Sequence, residues 1–151
     1  MGEVFGGSGR MVQTDTVKKY QQLVTEAIKA LENAYVPDPK GWRFGSAVLT
    51  AKGNIYSSGQ YYSDTYSLTL HAEQAAIAHA SAHGEHEIVA IAGVGTDKPE
   101  AYCHPCGMCK QLLYEKFLRH KIDIDVVMAN TKGKYIVKKI SELVPYPWPE
   151  R

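Results

Sequence analysis

Cysteine is scarce and clustered: all three copies lie between Cys103 and Cys109, so they cannot staple distant parts of a secreted fold. A reducing, cytoplasmic setting with metal ligation is the simpler expectation. Excess charge of one sign is missing as well. Seventeen lysines and arginines face sixteen aspartates and glutamates, a net charge of +1, which removes the electrostatic footprint of a nucleic-acid binder. The expected partner is a small neutral or weakly charged molecule. No apolar run approaches the roughly 20 residues of a membrane span, so no membrane partner is expected. The opening residues Met1 to Arg10 lack the apolar core of a signal peptide, and the chain contains no internal repeat.

What the chain does have is enough apolar residue, 44% of 151 positions, to bury the core of one domain. Residues 1–13 are glycine-rich and are expected to form a disordered arm, leaving residues 14–151 as a single domain. From Asp15 onward Val17, Tyr20, Val24, Ala27, Ile28, Leu31 and Tyr35 recur at helical spacing, with Thr14 or Asp15 as cap and Pro37 as stop. Phe44 to Leu49 and Ile55 to Ser58 read as an antiparallel hairpin around Lys52-Gly53-Asn54. The alanine-rich stretch from Ala72 to about His83 predicts a second helix that Gly84 ends. Ile88 to Val94 is a continuous apolar run, the pattern of a central strand covered on both faces. Pro105 suits the first turn of a third helix running to Arg119; Ile124 to Met128 and Tyr135 to Val137 then supply two further strands. These elements predict an α/β fold, a three-layer α/β/α arrangement with a mixed sheet of about five strands.

Two motifs carry chemistry: His71-Ala72-Glu73, and Pro105-Cys106-Gly107-Met108-Cys109. On a regular helix residues two apart point to nearly opposite sides, so His71 and Glu73 can share one metal and its water only beyond the helix start. Cys106 and Cys109, three apart at the opening of the third helix, fit the same placement. Two helix amino termini converging there would favour thiolate. Each half alone is weak, since Glu73 also suits the first turn of any helix and a lone Cys-x-x-Cys also serves redox chemistry. In this order, with the proline, they match the zinc deaminase signature. Three ligands, His71, Cys106 and Cys109, would hold Zn2+ and leave a fourth position open for water, the arrangement of a catalytic site. The alternative is a closed, non-catalytic zinc site completed by Cys103, although Pro105 separates Cys103 from the third helix. The remaining histidines, His79, His83, His86 and His120, have no ligand spacing to the cysteines and read as surface or structural residues.

From about Trp42 to Phe117 the sequence resembles the cytidine deaminase family. Phe44 to Thr50 looks like that family's first strand, Lys52 to Tyr56 like its hairpin, and His71-Ala72-Glu73-Gln74 and Pro105 to Gln111 like its two zinc motifs. The resemblance implies zinc-dependent deamination of cytidine or deoxycytidine to the uracil nucleoside and ammonia. Glu73 would take the proton of the zinc-activated water, pass it to the ring nitrogen and finally protonate the departing amine. The backbone of Ala72 and the segment around His104 and Pro105 would hold the base, and Trp42 or Phe44 falls where the family places a phenylalanine against it. Members with three cysteine ligands often carry arginine after the glutamate; this chain pairs a histidine ligand with Gln74, consistent with one fewer negative charge to offset.

At the sugar the chain departs from the family. Nucleoside deaminases usually carry Asn-x-Glu in the second strand to grip the ribose hydroxyls, and the aligned residues are Gln60 and Tyr62. Gln60 retains a hydrogen-bonding amide, but Tyr62 supplies no carboxylate. The related blasticidin S deaminases resemble this chain at the tyrosine, but begin their metal motif with cysteine. A modified cytosine nucleoside is therefore the alternative substrate. The small members are commonly tetramers with shared active sites, so a homo-oligomer is expected, and Ile140 to Pro145 resembles the family's closing segment, which lies near a neighbouring subunit's site.

Overall fold

The computed structural model describes the backbone of residues 5–150 and the side chains of residues 14–150. Within the arm assigned to residues 1–13, the first four residues and every side chain lie outside the described residues. Helix α1 spans Phe5–Glu32, so its start is not capped by Thr14 or Asp15. Its end falls five residues before Pro37. Asn33 and Ala34 close it with turns back to Ala30 and Leu31, and the Tyr35 N–H then donates to the Gln60 carbonyl at 2.9 Å. Once the Tyr35 backbone is committed to extended pairing it cannot continue the helix. Leu23, absent from the predicted apolar stripe, is fully buried, whereas Val17 is 42% exposed.

Five strands follow the predicted hairpin and alternation: β1 Phe44–Thr50, β2 Ile55–Gly59, β3 Ile88–Gly95, β4 Asp125–Ala129 and β5 Tyr135–Lys139. They form one sheet in the order β2-β1-β3-β4-β5, with β3 at its centre. Only the β3–β4 pair is parallel, so the sheet is mixed. Helices α2, Ala72–Ala82, and α3, Gly107–His120, connect β2 to β3 and β3 to β4, and a short α4, Ile140–Leu143, follows β5. Neither α4 nor the 3-10 turn at Tyr66–Leu68 has enough length to leave a periodic signal in the sequence.

Strand alternation sends side chains to two cores. Val48, Ile91, Val126 and Met128 pack with Ala76, Ile77, Leu113, Tyr114 and Ile140 on the face covered by α2, α3 and α4. Ala47, Leu49, Ala90, Ala92, Val127 and Ala129 pack with Leu23, Val24 and Ala27 of α1 on the other. The predicted three layers are thus present. The α1 face is built from small residues, and α1 lies against the hairpin itself. A Cβ on Gly45 would fall 2.3 Å from the Ala27 carbonyl oxygen, and one on Gly59 2.6 Å from the Ala34 Cα, so glycine is what permits this approach. Tyr20 ties α1 to the far side of the sheet, donating to Asp125 at 2.5 Å, while Lys139 pairs with the other Asp125 oxygen at 2.6 Å.

Candidate active site

Helices α2 and α3 begin on the same face of the sheet, and their caps are the two motif residues, His71 for α2 and Cys106 for α3. The Ala75 N–H donates to the His71 carbonyl at 3.0 Å and the Lys110 N–H to the Cys106 carbonyl at 2.9 Å, the first bonds of each helix. Gln74 reaches back to accept from the His71 N–H at 2.9 Å, so one orphan donor of the helix start is satisfied beside the motif histidine. Pro105 is buried and stands one residue before the cap, not in the first turn where the sequence pattern put it. There its ring fixes φ at the residue leading into Cys106, whose own backbone is extended.

His71 Nδ1 lies 3.3 Å from Cys106 Sγ and 3.4 Å from Cys109 Sγ. The three ligand atoms all fall within 4.8 Å of one another, forming a group of three metal-binding side chains among the described residues. A tetrahedral zinc with ordinary bond lengths needs nitrogen and sulfur ligands about 3.5 Å apart, and the set fits. Burial, followed by the Glu73 carboxylate and Cys106, pushes the Cys109 thiol upward, against the thiolate expected from two helix starts. Burial is the largest cause of that rise, and a divalent cation held at the cluster would favour the thiolate. Cys103 is not a member of the cluster. Its backbone N–H pairs with the Ala129 carbonyl at the end of β4 at 2.9 Å, and its thiol is pushed up to about 12, mainly by burial.

Beside the ligands opens a cavity of about 270 Å³ lined by Phe44, Gln60, Thr69, His71, Ala72, Glu73, His104 and Cys106. Glu73 thus shares one space with two members of the ligand group, and its carboxylate is close enough to Cys109 for its charge to help push that thiol upward. Of the residues the family resemblance assigns to substrate, Phe44, Gln60, Ala72 and His104 are on this wall, whereas Trp42, Tyr62 and Pro105 are not. Trp42 is 66% exposed. Tyr62 is turned toward Tyr66, their rings packing edge-on at 6.2 Å. Gln60 Oε1 is buried on the cavity wall with no hydrogen-bond partner among the described residues. Thr69 also lines the cavity; it sits in an irregular segment two residues before the metal motif, where no periodicity shows which way its side chain faces.

Residues 17–122 match the family described as the cytidine and deoxycytidylate deaminase zinc-binding region. The cytidine deaminase of Halalkalibacterium halodurans is 34% identical over 125 residues, which cover 83% of this chain and 90% of that protein. That of Sporosarcina psychrophila is 33% identical over 126 residues, covering 83% and 88%. The crystal structure of cytidine deaminase from Burkholderia pseudomallei superposes with a TM-score of 0.74 at 30% identity, covering 84% of this chain and 97% of that one. With a matched zinc-binding region, the same mixed sheet and a fitting ligand set, the chain belongs to the cytidine deaminase family.

Proposed function

We propose that this chain catalyses the hydrolytic deamination of cytidine or deoxycytidine, giving uridine or deoxyuridine and ammonia. The observation that carries the reading is the position of Glu73, a carboxylate sharing a cavity with His71 and Cys106 of the metal-binding group. His71 Nδ1, Cys106 Sγ and Cys109 Sγ would hold the zinc, which when bound supplies Lewis-acid activation of a water. Glu73 takes one proton of that water on its carboxylate and delivers it to the cytosine ring nitrogen next to the amino-bearing carbon; once the water oxygen is bonded to that carbon, Glu73 takes its second proton and gives it to the amine, which leaves as ammonia while the carbonyl forms. Ala72 and His104 border the base, Phe44 packs against it, and the unpaired Gln60 Oε1 accepts from a sugar hydroxyl, which relieves a buried orphan acceptor.

The test is the ultraviolet absorbance change when zinc-loaded protein meets cytidine, with Glu73→Ala as control. Conversion by the wild type alone supports the reading; no conversion with zinc bound and the fold intact overturns it. The family relatives favour cytidine over a blasticidin S-like substrate. The exclusion of Cys103 from the ligand group speaks against a closed, non-catalytic zinc site.

Residues 14–151 act as one deaminase domain in this reading. A homotetramer is supported by the exposed apolar side chains of Tyr61, Tyr66, Leu68 and Leu70, which flank in sequence the cavity residues Gln60, Thr69 and His71. Light scattering on the eluting protein measures the assembly. A cytoplasmic location fits three free cysteines, and no helix of the described residues is long and apolar enough to cross a membrane.

A further inference from the structure

Away from the catalytic cavity, His79 near the end of α2 and His83, the residue that caps its carboxyl end, are both exposed and stand four positions apart. Each ring has its Nδ1 against a backbone carbonyl, His79 against Ser57 of β2 and His83 against His79, both at 3.0 Å. A carbonyl oxygen only accepts, so both Nδ1 atoms must carry the proton. The neutral tautomer then leaves the Nε2 lone pair free on each ring. This is the arrangement found around bound metals, where the ligating imidazole donates its other N–H to a carbonyl that fixes ring and tautomer.

The ring positions agree with that role. The His79 and His83 centroids are 5.2 Å apart, and two imidazoles bound through nitrogen to one tetrahedral ion have centroids roughly 5 Å apart. Tyr56 packs against both, at 5.2 Å from His79 and 4.8 Å from His83, and so limits their rotation. Its hydroxyl is occupied elsewhere, donating to Glu85 at 2.8 Å. We infer that His79 and His83 form a second metal site, a two-imidazole chelate for a divalent transition ion of the copper, nickel or zinc class, with water completing the coordination. Among these, divalent copper binds nitrogen ligands most strongly. Through the His79 contact to Ser57, an ion held there also ties α2 to the edge strand β2.

The experiment is a Cu2+ titration of the zinc-loaded protein followed by electron paramagnetic resonance. The expected result is one Cu2+ bound beyond the zinc, with hyperfine structure from two imidazole nitrogens. His83→Gln should weaken that binding roughly tenfold or more, because the second imidazole acts as an intramolecular ligand. Zinc content, thermal midpoint and copper-free deamination should be unchanged in the variant. Absence of any Cu2+ beyond the zinc site, or a wild-type spectrum with sulfur or a single nitrogen in the copper's coordination, overturns the inference. Binding that persists undiminished in both His79→Gln and His83→Gln does so as well.

Discussion

A glutamate stands near each end of α2, and the two differ in what the chain gives them. Glu85, just past the carboxyl end, is 8% exposed and accepts from Thr50 Oγ1 at 2.5 Å, Asn54 Nδ2 at 2.7 Å and the Tyr56 hydroxyl at 2.8 Å. These donors, Thr50 first, hold its carboxyl below the usual range. Glu73, in the first turn, instead lines the cavity beside the metal-binding group. A carboxylate saturated by side-chain donors is kept ionised and fastens a hairpin to a helix. One that keeps its oxygens directed into a cavity can take and return a proton.

The largest break in that comparison is expected from Glu73→Gln. It should lower kcat by roughly 10²- to 10⁴-fold while zinc content and thermal midpoint stay at the wild-type level. A parallel fall in stability would place Glu73 in the same class as Glu85 and remove the distinction. Next comes the metal set. Cys109→Ala is expected to lose bound zinc, and Cys103→Ser to retain it, as read by metal analysis of the purified proteins. Zinc lost from the Cys103 variant would mean a closed four-ligand centre, leaving Glu73 without a catalytic role.

Of this contrast only the Glu73 side was visible in the sequence. The metal ligands were legible because His-x-Glu and Pro-Cys-x-x-Cys act through spacing at helix starts, and the folded chain keeps that spacing local. The five strands were legible because alternation and apolar runs survive into two packed cores. The cavity wall was less so. Tyr62 aligns with a family ligand, yet its ring joins Tyr66 in a surface cluster. Whether Gln60 is paired depends on residues far from it in the chain. Glu85 gave no signal at all, since its donors at residues 50, 54 and 56 come from the opposite hairpin. The end of α1 was misplaced for the same reason, because a long-range bond from Tyr35 to Gln60 stops it before Pro37 does.

At the other end of α2, Glu85→Ala should leave kcat within about twofold, because nothing in its network lines the catalytic cavity. Thermal stability should fall, since the substitution strips three donors of their acceptor. A drop in Tm of roughly 4–10 °C is expected by differential scanning calorimetry for a domain of this size. An unchanged midpoint would show that the network is not holding the hairpin to the helix.

The smallest expected effect separates the charge of Glu85 from its shape. Its carboxyl is held below the ordinary value of 4.5 by the Thr50, Tyr56 and Asn54 bonds, so the folded state prefers the ionised form more than the unfolded state does. Its stabilising contribution is therefore complete above the unfolded pKa and is lost as pH falls through the folded one. Glu85→Gln keeps the shape and cannot titrate. The difference in Tm between wild type and this variant should accordingly be largest near about pH 6 and shrink below roughly pH 4. A difference that stays constant across that interval would mean that Glu85 contributes through packing and neutral hydrogen bonds alone.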